Sequence, residues 1–510
     1  MQMAGTGGTV APDARPELAA PVPASRSAGP RAARARHAAR HRAPRRPRVF
    51  RRARTLAGAL GVTVLGAAVP GSGYLWTRRR LGYVVLLPFL AGLALVGLYA
   101  RDLHRLVDFA FDPARLRVAA VAVAIAFVAW AFVVVTTYAM ARPRGMSRLE
   151  GGLGALVVSL LCVLVALPAF QTVRIAMTQA HFVATVFDDE QTQTTPEGVT
   201  EEDPWAGRDQ VNVLLLGGDG GVGRTGIRTD SVILLSMNTH TGRSVMFSLP
   251  RNMMNAPFPV DSPLHAVFPD GFRGEGDPGS WMLNAVYGQV PALYPHILGD
   301  SENEGADAVK QAVAGSLGTH VDYYVLINLL GFQQLVDAIG GVTVNINEPI
   351  AINGNTDLNI PPTGYLQPGP DQHLDGFHAL WYSRGRWGSD DYDRMLRQRC
   401  MVSAIIDEAD PLNVLRRYQD LAKAGEEILR TDVPRKLMPA FVDLALKVKE
   451  KKIRSMAFVS SDKFFSGDPD YTWMQSVVAK ALAPRSGGGA KDDPGTAVKT
   501  DDACGYHPVG

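Results

Sequence analysis

Residues Val211–Asn238 read VNVLLLGGDGGVGRTGIRTDSVILLSMN, and the reading of the second half decides the fold. The first half is an apolar run that ends in glycines, as a phosphate-binding P-loop begins. Gly218 to Thr225 meets the pattern G-x-x-x-x-G-K-[ST] at every position but one, where Arg224 replaces the Lys. A P-loop also needs a helix directly after the Thr, because the helix N-terminus receives the phosphate. Here the residues after Thr225 alternate apolar and polar like a strand, with no helical period. Arg224 is also bulkier and forked where a compact ammonium is wanted. The stretch therefore reads strand, glycine loop, strand, and no bound nucleotide is expected. Asp219 and Asp230 flank the loop, with Arg228 just before the second acid. Two carboxylates at the ends of adjacent strands can share a hard cation such as Mg²⁺ (or Mn²⁺), which prefers oxygen ligands. On these residues alone the plainer reading is preferred, in which Asp219 caps a glycine-rich turn and Asp230 is solvated at a strand start.

Outward from this stretch, residues 209–484 have the composition of a globular α/β domain. Strands are predicted at Val211–Leu216, Ser231–Met237, Ser244–Ser248, Tyr323–Ile327 and Val342–Ile346. Helices are predicted at Asp307–Leu317, Leu329–Ala338, Asp390–Asp407, Leu412–Ile428, Arg435–Val448 and Tyr471–Leu482. This mixed order predicts a mixed central sheet flanked by helices. Residues 485–510 read as a flexible tail, and residues 176–208, acidic towards their end, as a linker.

The N-terminal part belongs to a different solvent. Residues 1–54 carry thirteen Arg against Asp13 and Glu17, with no apolar run to form a core. Such a tail is expected to be disordered and cytoplasmic, beside a membrane, rather than a nucleic-acid binder. Leu81–Ala100, Val118–Met140 and Gly151–Phe170 are each about 20 apolar residues, the length of a membrane crossing. Residues 55–80 contain a shorter apolar run ending in PGSGYLWTRRR, which reads as an interfacial or re-entrant element. Three crossings, preferred to four, put the C-terminal domain outside the cytoplasm. No cleavable signal peptide is expected. Cys400 and Cys504 then lie where a disulfide is allowed, although sequence leaves their pairing open.

Arginine is the other chemical signal. Arg251 follows a predicted strand in FSLPRN, and Arg384, Arg386, Arg394, Arg397 and Arg399 crowd into sixteen residues of YSRGRWGSDDYDRMLRQR. On a helix starting near Asp390, Asp391, Arg394, Arg397 and Gln398 share a polar face. A charged helix face is commonly only solvated surface, but guanidinium groups at this density suit bidentate recognition of phosphate.

These runs, together with NAVYG and INLLGFQQLVDAIGGVTVNI, resemble the LytR–CpsA–Psr family over about Asp209 to Ala483. The resemblance implies an α-β-α domain behind transmembrane helices, in a multi-pass membrane protein whose catalytic domain is extracytoplasmic. It implies a phosphotransferase that moves an anionic glycopolymer from a polyprenyl-pyrophosphate donor to a peptidoglycan acceptor. By motif matching, Asp219 and Asp230 would hold Mg²⁺. Arg228, Arg251, Arg386 and Arg394 would contact the pyrophosphate, with Arg384, Arg397 and Gln398 in support. Asn252 departs from the family pattern, which has Asp there, so no charged role passes to that position. The alternatives are a pyrophosphatase acting on lipid-linked pyrophosphate and a non-catalytic envelope or transcription-attenuator protein. Which glycopolymer, which lipid length, which general base and which oligomeric state are not legible.

Overall fold

The computed structural model describes residues 51–187, 194–218, 228–299, 301, 303–354, 359–409, 429–483 and 504–507. Asp219, Arg224, the whole helix expected at Leu412–Ile428 and nearly all of the Arg-rich tail fall outside these residues.

Six helices come first: α1 (Leu56–Ala68), α2 (Ser72–Trp76), α3 (Leu81–Tyr99), α4 (Leu103–Ala110), α5 (Pro113–Ala141) and α6 (Arg148–Val186). Of these, α3, α5 and α6 are long and apolar enough to cross a membrane. Helix α5 starts on an Asp112 cap with Pro at its first turn, and α6 on a capping box of Ser147 and Glu150. At 13 residues, α1 is about 20 Å long, short of the hydrocarbon core of about 30 Å. Both of its ends meet the last turns of α5. The Ala53 N–H donates to the Ala141 carbonyl at 2.9 Å, and Trp130 Nε1–H donates to the Ala67 carbonyl at 2.9 Å. Helix α1 is therefore confined to one end of the bundle.

Helix α6 differs from expectation. The linker was expected from residue 176, yet the helix continues to Val186, 39 residues in all. Gln179, Val183 and Val186 fall on one stripe at helical spacing and are buried, which the polar residues between them obscure in the sequence. Phe182, Val183, Val186 and Phe187 pack with Phe111, Leu429 and Met438, so the helix runs directly onto the following domain.

Among the described residues, that domain has ten strands: β1 (Gln210–Gly218), β2 (Thr229–Asn238), β3 (Ser244–Leu249), β4 (Tyr323–Asn328), β5 (Val342–Ile346), β6 (Ile350–Ile352), β7 (Gly364–Leu366), β8 (Gly369–Leu374), β9 (Leu429–Thr431) and β10 (Arg454–Ala457). Six form a mixed sheet in the order β10-β3-β2-β1-β4-β9. Strands β1, β2 and β3 are antiparallel neighbours, whereas β4 runs parallel to β1 and β10 parallel to β3. The second half of the opening stretch is thus a strand. Strand β5 forms where predicted but pairs with β8 in a separate ribbon rather than joining the central sheet.

Alternation along the strands dresses the two faces differently. Leu214, Leu216, Val232, Leu234, Phe247 and Leu249 face a core closed by α8 (Val286–Leu293), α9 (Glu304–Leu317) and α14 (Tyr471–Leu482), with the five-residue α7 (Pro263–Val267) at its edge. Val213, Ile233, Leu235 and Met246 face the opposite core, under α12 (Asp391–Glu408) and α13 (Met438–Lys449). Each fully buried Leu or Phe in these layers contributes about 1.5–3 kcal/mol. Helices α10 (Leu329–Ile339) and α11 (Gly376–Arg384) cover the β5–β8 ribbon. The result is helix, sheet, helix, entered from the N-terminal helices through α6.

The end of the chain also departs from expectation. Cys400 on α12 is disulfide-bonded to Cys504, with their Cα atoms 5.5 Å apart. Asn345 and Asn347 donate to the carbonyls of Cys504 and Gly505, and the His507 N–H donates to Asn347 Oδ1. Residues 504–507 are held against the domain rather than trailing from it.

Candidate active site

The β2–β3 register pairs Val232 with Leu249. Carried two residues further in each direction, it sets Asp230 beside Arg251, just past the end of β3. Arg251 Nη1 lies 2.5 Å from Asp230 Oδ1, and its Nε donates to Asp391 Oδ2 at 3.1 Å. The loop carrying Arg251 is itself pinned, since the Asn284 N–H of the NAVYG run donates to the Arg251 carbonyl.

Asp391 opens α12, which begins on an Asp390–Asp393 capping box. Besides Arg251, it has Arg394 at 3.5 Å and Arg386 at 3.6 Å, both on Oδ1. Arg394 also donates to the backbone carbonyl of Asp230 at 3.3 Å. Three guanidinium groups and two carboxylates thus share one cluster, leaving an excess of positive charge. Exposure is graded across it: the Arg394 side chain is 5% exposed, Arg251 20% and Arg386 40%. An anion approaching from solvent meets Arg386 first and Arg394 last.

The electrostatics follow from burial. Burial works against the charged form of Asp391, yet Arg394, Arg251 and Arg386 outweigh it and hold the carboxyl below its usual range. Burial likewise works against Arg251, and Asp230 and Asp391 outweigh it in the other direction, raising its pKa. In Arg394 burial wins, helped by Arg251 and Arg386, and the pKa is pushed down to about 10. It stays cationic at neutral pH.

The remaining sequence-predicted residues divide. Arg228 is exposed at the start of β2, two residues before Asp230. Arg384 ends α11, its guanidinium 5.8 Å from the Trp381 ring. Arg397 and Gln398 were expected to support the phosphate, and the structure turns them elsewhere. Arg397 donates through Nε to the Tyr382 carbonyl at 2.9 Å and through Nη2 to the Gly385 carbonyl and Ser389 Oγ. Gln398 Nε2 donates to the Ser383 carbonyl. Both residues lie on the α12 face toward α11, so they fix the turn that presents Arg384 and Arg386. Sequence reasoning placed the hub, Asp391, on the polar face of this helix but gave it no role in the site. Its position three residues before Arg394 on a helix was the available signal.

Among the described residues no group of three or more His, Cys, Asp or Glu side chains could hold a metal ion. Mg²⁺ needs less than that, because it commonly binds one or two carboxylates and takes its other oxygens from substrate phosphates and water. Asp230, 27% exposed at the cluster edge, is a hard donor that fits this use. Asp219 lies outside the described residues.

The chain has relatives among known proteins. The chain is 31% identical over 223 residues to the polyisoprenyl-teichoic acid–peptidoglycan teichoic acid transferase TagU of Oceanobacillus iheyensis, covering 43% of this chain and 56% of the relative. It is 28% identical over 287 residues to biofilm regulatory protein A of Streptococcus mutans, covering 54% and 62%. The match thus spans less than two thirds of either relative. Among solved structures, that of TagV from B. subtilis aligns at 20% identity with a TM-score of 0.38, covering 54% of this chain and 97% of that one. Residues 174–483, more than half of the chain, match the LytR_cpsA_psr family, and the chain belongs to it.

Proposed function

We propose that this protein is a membrane-anchored phosphotransferase that moves an anionic glycopolymer from a polyprenyl-pyrophosphate carrier to peptidoglycan, with its catalytic domain outside the cytoplasm. The observation that carries this reading is the convergence of Arg251, Arg386 and Arg394 on Asp391, next to Asp230. Phosphoryl transfer is helped mainly by positioning and by neutralising charge that develops on the phosphate oxygens. Preorganised guanidinium groups do both.

In the free protein, Asp391 and Asp230 hold the arginines in place. On binding, the pyrophosphate takes bidentate contacts from Arg251 and Arg394 and draws in the more exposed Arg386 and Arg228. Mg²⁺ on Asp230, and on Asp219 by family resemblance, would supply further neutralisation of the pyrophosphate when bound. The acceptor hydroxyl attacks the phosphorus attached to the glycopolymer, its proton is lost, and polyprenyl phosphate leaves. Asn252 carries no charge to serve as base.

The test is the full chain in lipid vesicles with a lipid-pyrophosphate donor, peptidoglycan and Mg²⁺. Covalent attachment of glycopolymer to peptidoglycan, abolished in Arg394→Ala and Asp230→Ala variants that still fold, is the expected outcome. Attachment at wild-type rate by both variants overturns the site. Phosphate release without attachment makes the protein a pyrophosphatase instead.

A further inference from the structure

Helix α11 is apolar on two sides, and its sequence, GFHALWYSR, shows why. Gly376, Ala379, Leu380 and Tyr382 are its buried side, with Ala379 and Tyr382 in the core beneath the β5–β8 ribbon. Phe377, Trp381 and Arg384 recur at the spacing i, i+4, i+7, which lines them up on the opposite side. Phe377 is 42% exposed and Trp381 is half-buried. Their ring centroids are 6.5 Å apart, and the Trp381 ring is 5.8 Å from the Arg384 guanidinium. A helix packed on one side alone needs no apolar residue on the other. Single exposed apolar residues are ordinary, but aromatic rings in a row on one helix face have the composition of a binding surface.

The row leads to the arginine cluster. Helix α11 ends at Arg384, and the turn after it, held by Arg397 on the Gly385 carbonyl, delivers Arg386 to Asp391. Phe377 to Arg384 is about 10 Å of helix, so a chain lying along α11 ends beside the cluster. The charges around the row select the chain. Asp375 caps the start of α11 and, although it takes the His378 ring at 2.7 Å, its side chain is 59% exposed. Glu348, 52% exposed, lies 3.8 Å from Arg397 at the other end. A polyanion laid along the row meets a carboxylate near each end, whereas an uncharged sugar chain offers hydroxyls that donate to them. One face of a pyranose ring is a layer of C–H bonds, which suits the negative face of an aromatic ring.

We propose that the Phe377–Trp381 face docks the sugar backbone of the peptidoglycan acceptor, so that a strand seated on α11 brings a hydroxyl to the arginine cluster. The identity of the acceptor rests on the transferase reading, whereas docking of an uncharged glycan is measured without any transfer. The donor's anionic polymer and the bilayer surface are the competing occupants, and each responds differently to the probes.

Full-length protein in nanodiscs is titrated by calorimetry with chitohexaose, an uncharged chain of N-acetylglucosamine, and separately with poly(glycerol phosphate). Phe377→Ala should weaken chitohexaose binding about fivefold, the scale of one aromatic contact. Trp381→Leu should weaken it as well, and Phe377→Tyr should bind as wild type does. Leu293→Ala, at an exposed position on α8, should change nothing. Binding of poly(glycerol phosphate) should be indifferent to Phe377→Ala. In the transfer assay, Phe377→Ala should raise KM for peptidoglycan and leave kcat and the KM for the donor unchanged. The proposal is overturned if chitohexaose fails to bind wild type, or binds Phe377→Ala and Trp381→Leu as tightly as wild type. It is overturned equally if poly(glycerol phosphate) is the ligand that Phe377→Ala weakens, or if a maleimide dye fails to label Phe377→Cys in nanodiscs, which places the face on the bilayer. Chitohexaose binding through Phe377 by a protein that attaches no polymer would sink the transferase reading alone and leave the glycan-docking face standing.

Discussion

Asp391 and Arg399 sit on the same helix and show opposite treatments of a charge. Asp391 is shared by three arginines, so on the transferase reading Asp391→Asn should leave the domain folded but cut transfer about 100-fold, since it disorders the guanidinium groups of the cluster. A loss smaller than threefold in a transfer assay would show that the arginines hold their places without it. The pH dependence follows in sign. A carboxyl held below its unfolded pKa stabilises the fold at neutral pH, and that contribution is lost as pH falls below about 4. Chemical denaturation at pH 6 and pH 3 should therefore show a larger acid loss in wild type than in Asp391→Asn. Arg399 is 1% exposed, none of its three nitrogens has a hydrogen-bond partner among the described residues, and burial pushes its pKa down to about 9. Replacing it with Met removes a desolvated charge and keeps the length. Arg399→Met should stabilise the domain by about 1–4 kcal/mol, read as a raised denaturation midpoint. A lowered midpoint would mean that the guanidinium is satisfied in solution.

Among the elements, α12 has three separate attachments: it contributes Asp391 and Arg394 to the cluster, holds the α11 turn through Arg397 and Gln398, and carries Cys400. The disulfide closes a loop with a sequence separation of 104 residues. Cys504→Ser should cost about 2–4 kcal/mol in denaturant unfolding, with residues 504–507 released to proteolysis. An unchanged midpoint would show that the asparagine contacts suffice.

The same elements show what was legible. Strands β1 to β4 were readable because each carries five or more consecutive, mostly apolar residues rich in β-formers. Strands β9 and β10, three and four residues long, have too little sequence for a period and exist because a neighbouring edge completes their hydrogen bonds. Helix α11 was read only as an arginine motif, since GFHALWYSR carries no strong apolar stripe. The acids and arginines of the cluster were legible as residue types. Which guanidinium faces the site and which faces α11 depends on how α12 packs, and a polar helical face in sequence does not reveal that.

At the scale of the whole molecule, the N-terminal helical bundle is fastened to the following domain at the end of α6. Phe187, the residue after α6, forms a bridge with Thr431 of β9, and Gln179 Nε2 donates to the Ala110 carbonyl at 2.8 Å. Lys310, buried under the sheet, donates to the Thr194 carbonyl and pairs with Asp432 at 2.6 Å, so the chain is fastened again a few residues later. Insertion of ten Gly/Ser residues after Phe187 should reduce transfer from a vesicle-embedded donor at least tenfold while leaving turnover of a short-chain soluble donor unchanged. Equal loss on both donors would place the effect in the domain fold instead.

Helix α6, 39 residues long, spans about 58 Å, roughly twice the hydrocarbon thickness. A rod of that length, fixed at its far end to the sheet, acts as a gauge. On the transferase reading, it holds the reacting groups at a set altitude above the lipid headgroups, and a tilt of the rod is the main way to change it. Polymer would then be stitched into whichever stratum of wall lies at that altitude, so the youngest material, nearest the bilayer, would be marked before older layers move outward.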